Sequence, residues 1–126
     1  MFSHIMLGAS DMEASRTFYD ATLGALGHKA GTVDDKGRCF YFADGGIFAL
    51  TTPIDGQPAC NGNGSTIGFA AKTTEEADAW HAAGLANGGT SCEDPPGVRD
   101  NGTMRLYLAY LRDPSGNKIC AMHRLA

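Results

Sequence analysis

The chain states one plan twice, and that constrains its fold more than any single motif does. A shift of 62 positions lays His4-Ile5-Met6-Leu7-Gly8-Ala9 on Thr66-Ile67-Gly68-Phe69-Ala70-Ala71, and Phe18 on Trp80. Further along, Tyr41-Phe42-Ala43-Asp44-Gly45-Gly46 followed by Ile47-Phe48-Ala49-Leu50 shares its layout with Tyr110-Leu111-Arg112-Asp113-Pro114-Ser115-Gly116 followed by Lys118-Ile119-Cys120-Ala121. Two copies are too few for a solenoid and predict one domain made of a duplicated unit. With 126 residues there is room for one core and not for two independent ones.

Each copy reads as β-α-β-β-β. Residues 2–9 are short and apolar, a buried strand with His4, Met6 and Gly8 on one face and Ile5, Leu7 and Ala9 on the other. Ser10-Asp11-Met12-Glu13 matches the S-x-x-E capping box, so a helix follows. Its inner positions are Met12, Ser15, Phe18, Tyr19, Thr22 and Leu23, and Gly24 with Gly27 can end it. Residues 28–33, 38–43 and 46–51 read as three strands joined by turns at Asp34-Asp35-Lys36-Gly37 and Asp44-Gly45-Gly46.

Module one therefore spans 1–52, and residues 53–64, rich in Pro, Gly, Asn and Gln without periodicity, form a linker. Module two, 65–126, restarts with a strand at 65–71 and a second capping box, Thr73-Thr74-Glu75-Glu76. Ala77, Trp80, His81 and Leu85 mark the inner stripe of its helix, which Gly88-Gly89 stops. Residues 90–93 read as a short strand and 94–102 as a loop bordering a pocket.

The closing segment, from Leu106 to His123, is a β-hairpin. Asp113 can accept from backbone N–H groups ahead of it, Pro114 presets φ at the corner, and Gly116 takes positive φ without steric cost. A tight turn fixes register, and with it the face each side chain takes.

Composition excludes several classes. The formal net charge of -4 argues against a nucleic-acid footprint, and no run is long enough to cross a bilayer, so neither nucleic acid nor membrane is an expected partner. No signal peptide is visible, and the expected compartment is the cytoplasm. Cys39, Cys60, Cys92 and Cys120 lack any C-x-x-C spacing and read as free thiols, not a zinc motif.

The opening His4-Ile5-Met6-Leu7-x-x-x-Asp11-Met12-x-x-Ser15-x-x-Phe18-Tyr19, the closing Asp113-Pro114-x-Gly116-Asn117-Lys118-Ile119 and the doubled β-α-β-β-β plan resemble the vicinal oxygen chelate superfamily. That group includes glyoxalase I, bleomycin and fosfomycin resistance proteins and extradiol dioxygenases. The resemblance covers nearly the whole chain. It implies an α+β glyoxalase-like fold, with two βαβββ modules forming curved mixed sheets around a cavity. The cavity is closed either by the two modules of one chain or by modules of two chains in a homodimer, and linker length does not decide between them.

In metal-using relatives four positions hold a divalent ion. Carried onto this chain they are His4, Ala49, Thr66 (with Gly68 the alternative if the register differs by two) and Cys120. Only His4 carries an expected donor. Zinc, nickel, manganese or iron(II) needs about three or four imidazole or carboxylate donors, so a resident metal is disfavoured and no metal ligand is assigned.

The resemblance then implies a cytosolic protein that takes a small, partly apolar molecule into its cavity, with at most metal-independent chemistry. Two alternatives stand beside it: an active metal-dependent lyase or dioxygenase whose missing ligands come from elsewhere or from a second chain, and a drug-sequestering binder of the bleomycin-resistance type.

The candidate ligand-binding set is His4, Met6, Ala49, Thr66, Gly68, Leu108, Tyr110, Cys120 and Met122. His4 is a candidate general base, since imidazole titrates near neutrality, against the plain reading of a lining histidine. Cys120 is either a nucleophilic thiolate or a small buried hydrophobe. Tyr110 either orients a polar ligand or packs in the sheet, and Met6, Leu108 and Met122 make an apolar floor or plain core. Trp80, His81 and His123 receive no role. Arg99, Arg105 and Arg112 attract an anionic ligand or, more simply, stand as solvated cations beside Asp94, Asp100 and Asp113.

Overall fold

The computed structural model describes residues 1–125. Module one runs β1 (His4–Gly8), α1 (Met12–Ala25), β2 (Thr32–Val33), β3 (Cys39–Ala43) and β4 (Gly46–Thr51). Module two runs β5 (Ile67–Ala70), α2 (Thr74–Ala86), β6 (Thr90–Ser91), β7 (Gly97–Asp100), β8 (Arg105–Arg112) and β9 (Lys118–Arg124). The first sheet has the order β1-β4-β3-β2 and the second β5-β9-β8-β6, with β7 also paired to β8. Both are mixed, as the α+β expectation requires.

The duplication persists in the register. In each module the opening strand runs parallel to the closing one, Met6 opposite Ala49 and Gly68 opposite Cys120. Ile5 opposite Phe48 likewise matches Ile67 opposite Ile119. Ala49 and Cys120 are therefore equivalent positions.

Several local expectations change. Helix α1 is capped by Asp11, whose Oδ1 accepts from the Ala14 N–H at 3.0 Å. Ser10 is drawn off by tertiary partners, its N–H donating to Ser115 Oγ and its hydroxyl to the Ala59 carbonyl. At α2 the cap is Thr73, as expected, while Glu76 accepts from the Lys72 N–H one residue upstream of the box position. Leu85 lies 48% exposed instead of on the inner stripe, and Gly84 takes the buried place. A Cβ at Gly84 would overlap Leu111 and stand 3.1 Å from Phe18, so close packing of the helix requires glycine there.

Strand β6 covers two residues only, and the segment expected as a loop holds β7, paired along β8 from Gly97 opposite Leu108 to Asp100 opposite Arg105. Pro95 and Pro96 hid it, because they break the apolar alternation just before the strand starts. Residues 28–33 yield strand only at Thr32–Val33.

One core unites the two modules. Phe18, Tyr19 and Leu23 of α1, Ala77 and Trp80 of α2, Tyr41, Phe48 and Leu50 of the first sheet, and Leu111, Ile119 and Ala121 of the second belong to a single buried cluster. Phe18, Tyr19 and Trp80 are fully buried, each contributing about 1.5–3 kcal/mol by area removed from water. Phe48 of the first sheet meets Phe69 of the second edge to face, centroids 5.1 Å apart. The two sheets thus turn the same kind of face, the one bearing Phe48 and Phe69, toward each other and toward the helices.

Candidate functional site

Strand alternation puts the candidate residues on the opposite faces. In the first sheet His4, Met6, Phe40, Phe42, Ile47 and Ala49 share the outer face. In the second, Gly68, Leu108, Tyr110, Lys118, Cys120 and Met122 do. Ala49, Leu108 and Cys120 are buried yet stand outside the shared core cluster, as this parity requires. Because the inner faces meet through Phe48 and Phe69, the outer faces point apart. The two modules of one chain therefore do not bring His4 and Met6 together with Tyr110 and Cys120.

Among the described residues, clefts open elsewhere, one of about 400 Å³ beside Met104 and Arg105 and another of about 240 Å³ where the linker meets β1 around Pro53 and Ala59. Neither is lined by a residue of the candidate ligand-binding set, although Arg105 borders the first. Of the two arrangements left open by the sequence, closure of the cavity by the two modules of one chain is not seen.

On the first sheet the outer face is mostly apolar. Phe40 and Phe42 stack with centroids 6.0 Å apart, and the Arg38 guanidinium lies 5.2 Å over Phe40. Ala49 sits between Met6 and Phe40 on its neighbouring strands. His4 is exposed, and its Nδ1 shares a 2.8 Å hydrogen bond with the Ser3 hydroxyl.

The second sheet's outer face is more polar. Tyr110 lies directly opposite Cys120, and Cys120 opposite Gly68. A Cβ at Gly68 would come 3.2 Å from Cys120 Sγ, so the glycine leaves room for the sulfur. Burial pushes the Cys120 thiol up to about 11, outweighing the nearby Lys118 ammonium, and the side chain stays protonated at neutral pH. Burial, then the neighbouring Cys120 and Glu93, raises the Tyr110 phenol as well. Thr66 lies just before β5, exposed.

Sequence reading missed two members of this face. Lys118 forms an ion pair with Glu93 and holds its Nζ 5.0 Å from the centroid of the Tyr110 ring. Its place was legible, since it shares the parity of Cys120. Glu93 was not: it meets Lys118 from the irregular segment after β6, where its backbone adopts φ +58°, the one positive φ outside glycine among the described residues.

Within one copy the residues at the positions implied by metal-using relatives do not fit a divalent metal site. Among the described residues no three His, Cys, Asp or Glu side chains gather as a metal site. Of the four positions implied by metal-using relatives, Ala49 and Gly68 bring no donor, Thr66 brings a neutral hydroxyl, and Cys120 brings a single buried thiol. His4 stands on the other sheet.

Fold and faces together define a duplicated α+β protein with two curved mixed sheets of the glyoxalase type. The model of the Glyoxalase/Bleomycin resistance protein/Dioxygenase superfamily matches residues 1–121, and the chain belongs to that superfamily. It is 61% identical to a glyoxalase/bleomycin resistance protein from Albidiferax ferrireducens T118, whose crystal structure superposes with a TM-score of 0.95 over 98% of this chain and 99% of that one. A glyoxalase/bleomycin resistance protein/dioxygenase family enzyme from Burkholderia phytofirmans PsJN shares the fold at 16% identity and TM-score 0.73, covering 98% of each chain. So does a lactoylglutathione lyase from Agrobacterium tumefaciens, at 20% identity and TM-score 0.66, covering 98% of this chain and 92% of that one. Comparison with the curated proteins finds no match.

Proposed function

We propose that this protein binds a small, partly apolar molecule between the outer face of the first sheet in one copy and that of the second sheet in another, and does so without a resident metal ion. One observation carries the reading: the candidate residues lie on two faces turned apart, so one chain offers two half-sites and no enclosure. A second copy supplies the missing half of each. The exposed Phe42, 60% accessible on the first face, supports a covered role for that surface.

The first half-site contributes an imidazole and an apolar floor, His4 with Met6, Ala49 and Phe40. The second contributes Leu108, Tyr110, Cys120 and Met122. With Cys120 protonated, any chemistry on the ligand falls to His4 as general base and to the Tyr110 hydroxyl as orienting donor. Binding alone, as in drug sequestration, needs neither. Among the described residues no helix is long and apolar enough to span a membrane, and all four cysteines are unpaired, as suits a reducing compartment such as the cytoplasm.

Native mass spectrometry of the protein as purified tests the reading in one measurement. A dimer free of stoichiometric zinc, nickel, manganese or iron is expected. A monomer that binds its ligand, or a dimer carrying one such ion per site, overturns it. Turnover with hemithioacetal, catechol and epoxide substrates then separates enzyme from binder.

A further inference from the structure

The outer face of the second sheet carries a cluster of cations. By register, β7, β8 and β9 place Arg99, Arg112, Lys118 and Arg124 on that face, and no Asp or Glu of these strands shares it. The chain as a whole carries a formal net charge of -4, so the bias is local. The carboxylate that meets Lys118 comes from outside the strands: Glu93, in the left-handed region, reaches in from the segment after β6. Its backbone geometry is costly for a residue with a side chain.

Along the same face from Lys118, Cys120 and then Met122, opposite Leu108, follow at successive outward positions. The Arg99 guanidinium donates to the backbone carbonyl of Asp94 at 3.0 Å. Among the described residues no carboxylate pairs with this guanidinium.

We infer that Lys118 is the anion anchor of the ligand site, that Glu93 occupies it as a resident counter-ion, and that the ligand is a small carboxylate on an apolar or aromatic body, displacing Glu93 when it binds. This rests on the proposed function, in which that face is half of the ligand site. The Tyr110 ring holds the ammonium in place, so Lys118 is oriented before any ligand arrives. Releasing Glu93 exchanges one carboxylate for another at an unchanged cation, and the affinity gained comes from the apolar body packing on Leu108 and Met122.

Benzoate and benzamide, nearly the same shape and differing in charge, are the probes. Binding is read from the methyl resonances of methionine-labelled protein, where Met122 reports on the site. Benzoate should bind wild-type protein about tenfold more tightly than benzamide, as a charge-assisted pair replaces a neutral one. Lys118→Met should erase that difference, and Glu93→Gln should tighten benzoate by removing the internal competitor. If Met122 shifts equally with both probes, and Lys118→Met leaves benzoate affinity within about twofold, the anion anchor is wrong while the ligand face stands. If neither probe moves Met122, the face is not the ligand site, and both readings fall.

Discussion

The phenol of Tyr19 donates a 2.6 Å hydrogen bond to Oδ2 of Asp113, joining the helix of module one to the closing hairpin of module two. Both residues are buried, at 0% and 3% accessibility. Asp113 also accepts from the Ser115 and Asn117 N–H groups and from Asn117 Nδ2, each at 2.9 Å, and the same Asn117 amide donates to the Gly8 carbonyl. The turn that sets hairpin register thereby fixes how the two modules meet. A carboxylate so deeply buried is tolerable because four donors surround it.

Tyr19→Phe should therefore destabilise the protein by about 2 kcal/mol, the range for a lost hydrogen bond to a buried charged group. Tyr41→Phe makes the useful comparison. Tyr41 donates to Asp20 at 2.8 Å, but Asp20 keeps a third of its side-chain surface in solvent and can turn to water. Its loss should cost roughly half as much. Urea denaturation of the three proteins measures both, and a Tyr19→Phe cost below about 0.5 kcal/mol would remove Asp113 from its place as the joint between modules.

The same tyrosines set an alkaline limit. Burial, then the Asp113 charge, raises the Tyr19 phenol well above its ordinary value, and burial followed by the Asp20 hydrogen bond does the same for Tyr41. A folded-state value above the unfolded one means that the stabilisation is whole below the unfolded value, about 10, and is lost as pH climbs past it. Above that point unfolding releases protons the native state retains, and stability should fall by about 1.4 kcal/mol per pH unit for each such tyrosine. Urea midpoints followed through the alkaline range, with tyrosinate absorbance recorded on the folded protein, check it. Tyr19 and Tyr41 should ionise only together with unfolding; ordinary titration of every phenol in the native state would contradict the claim.

How much of this was legible depended on how local the signal was. The duplicated plan, both helices and the hairpin turn rest on spacing within a few residues, and they appear where the sequence placed them. Strand β7 did not, because two prolines stand at its threshold and its pairing partner lies downstream in β8. Alternation within a strand set the face of His4 and Met6, whereas the pairing of Met6 with Ala49 and of Tyr110 with Cys120 is known only from the strand register. The direction of one sheet relative to the other depends on how Phe48, Phe69 and the helices pack, and no short stretch encodes that. Glu93 escaped for a related reason: it lies in an irregular segment after β6, where no strand alternation assigns a face.

Thiol reactivity separates the two readings of Cys120. Cys60 is exposed, whereas Cys120 is 7% accessible with its thiol raised to about 11, and Cys39 is fully buried. At pH 7 roughly one Cys120 in ten thousand is ionised, against a few in a hundred for an unperturbed thiol. Brief alkylation at neutral pH followed by peptide mass spectrometry should label Cys60 first and leave Cys39 and Cys120 largely unmodified. Labelling of Cys120 as fast as Cys60 would mean that the burial seen here does not govern the thiol, and the nucleophile reading would return.

The dimer can be tested through one side chain on each kind of surface. Phe42 stands 60% exposed on the outer face of the first sheet, and Leu85 stands 48% exposed on α2, away from both outer faces. In an isolated chain, glutamate at either position is a surface change costing within about 0.5 kcal/mol. If a second copy covers the outer face, Phe42→Glu instead buries a carboxylate at an apolar interface without a partner, a cost large enough to dissociate the pair. Light scattering behind size-exclusion chromatography should find the wild type and Leu85→Glu dimeric and Phe42→Glu monomeric, with ligand binding lost alongside the dimer. Phe42→Glu that stays dimeric and keeps its affinity would show that the interface, and so the site it completes, lies on another surface.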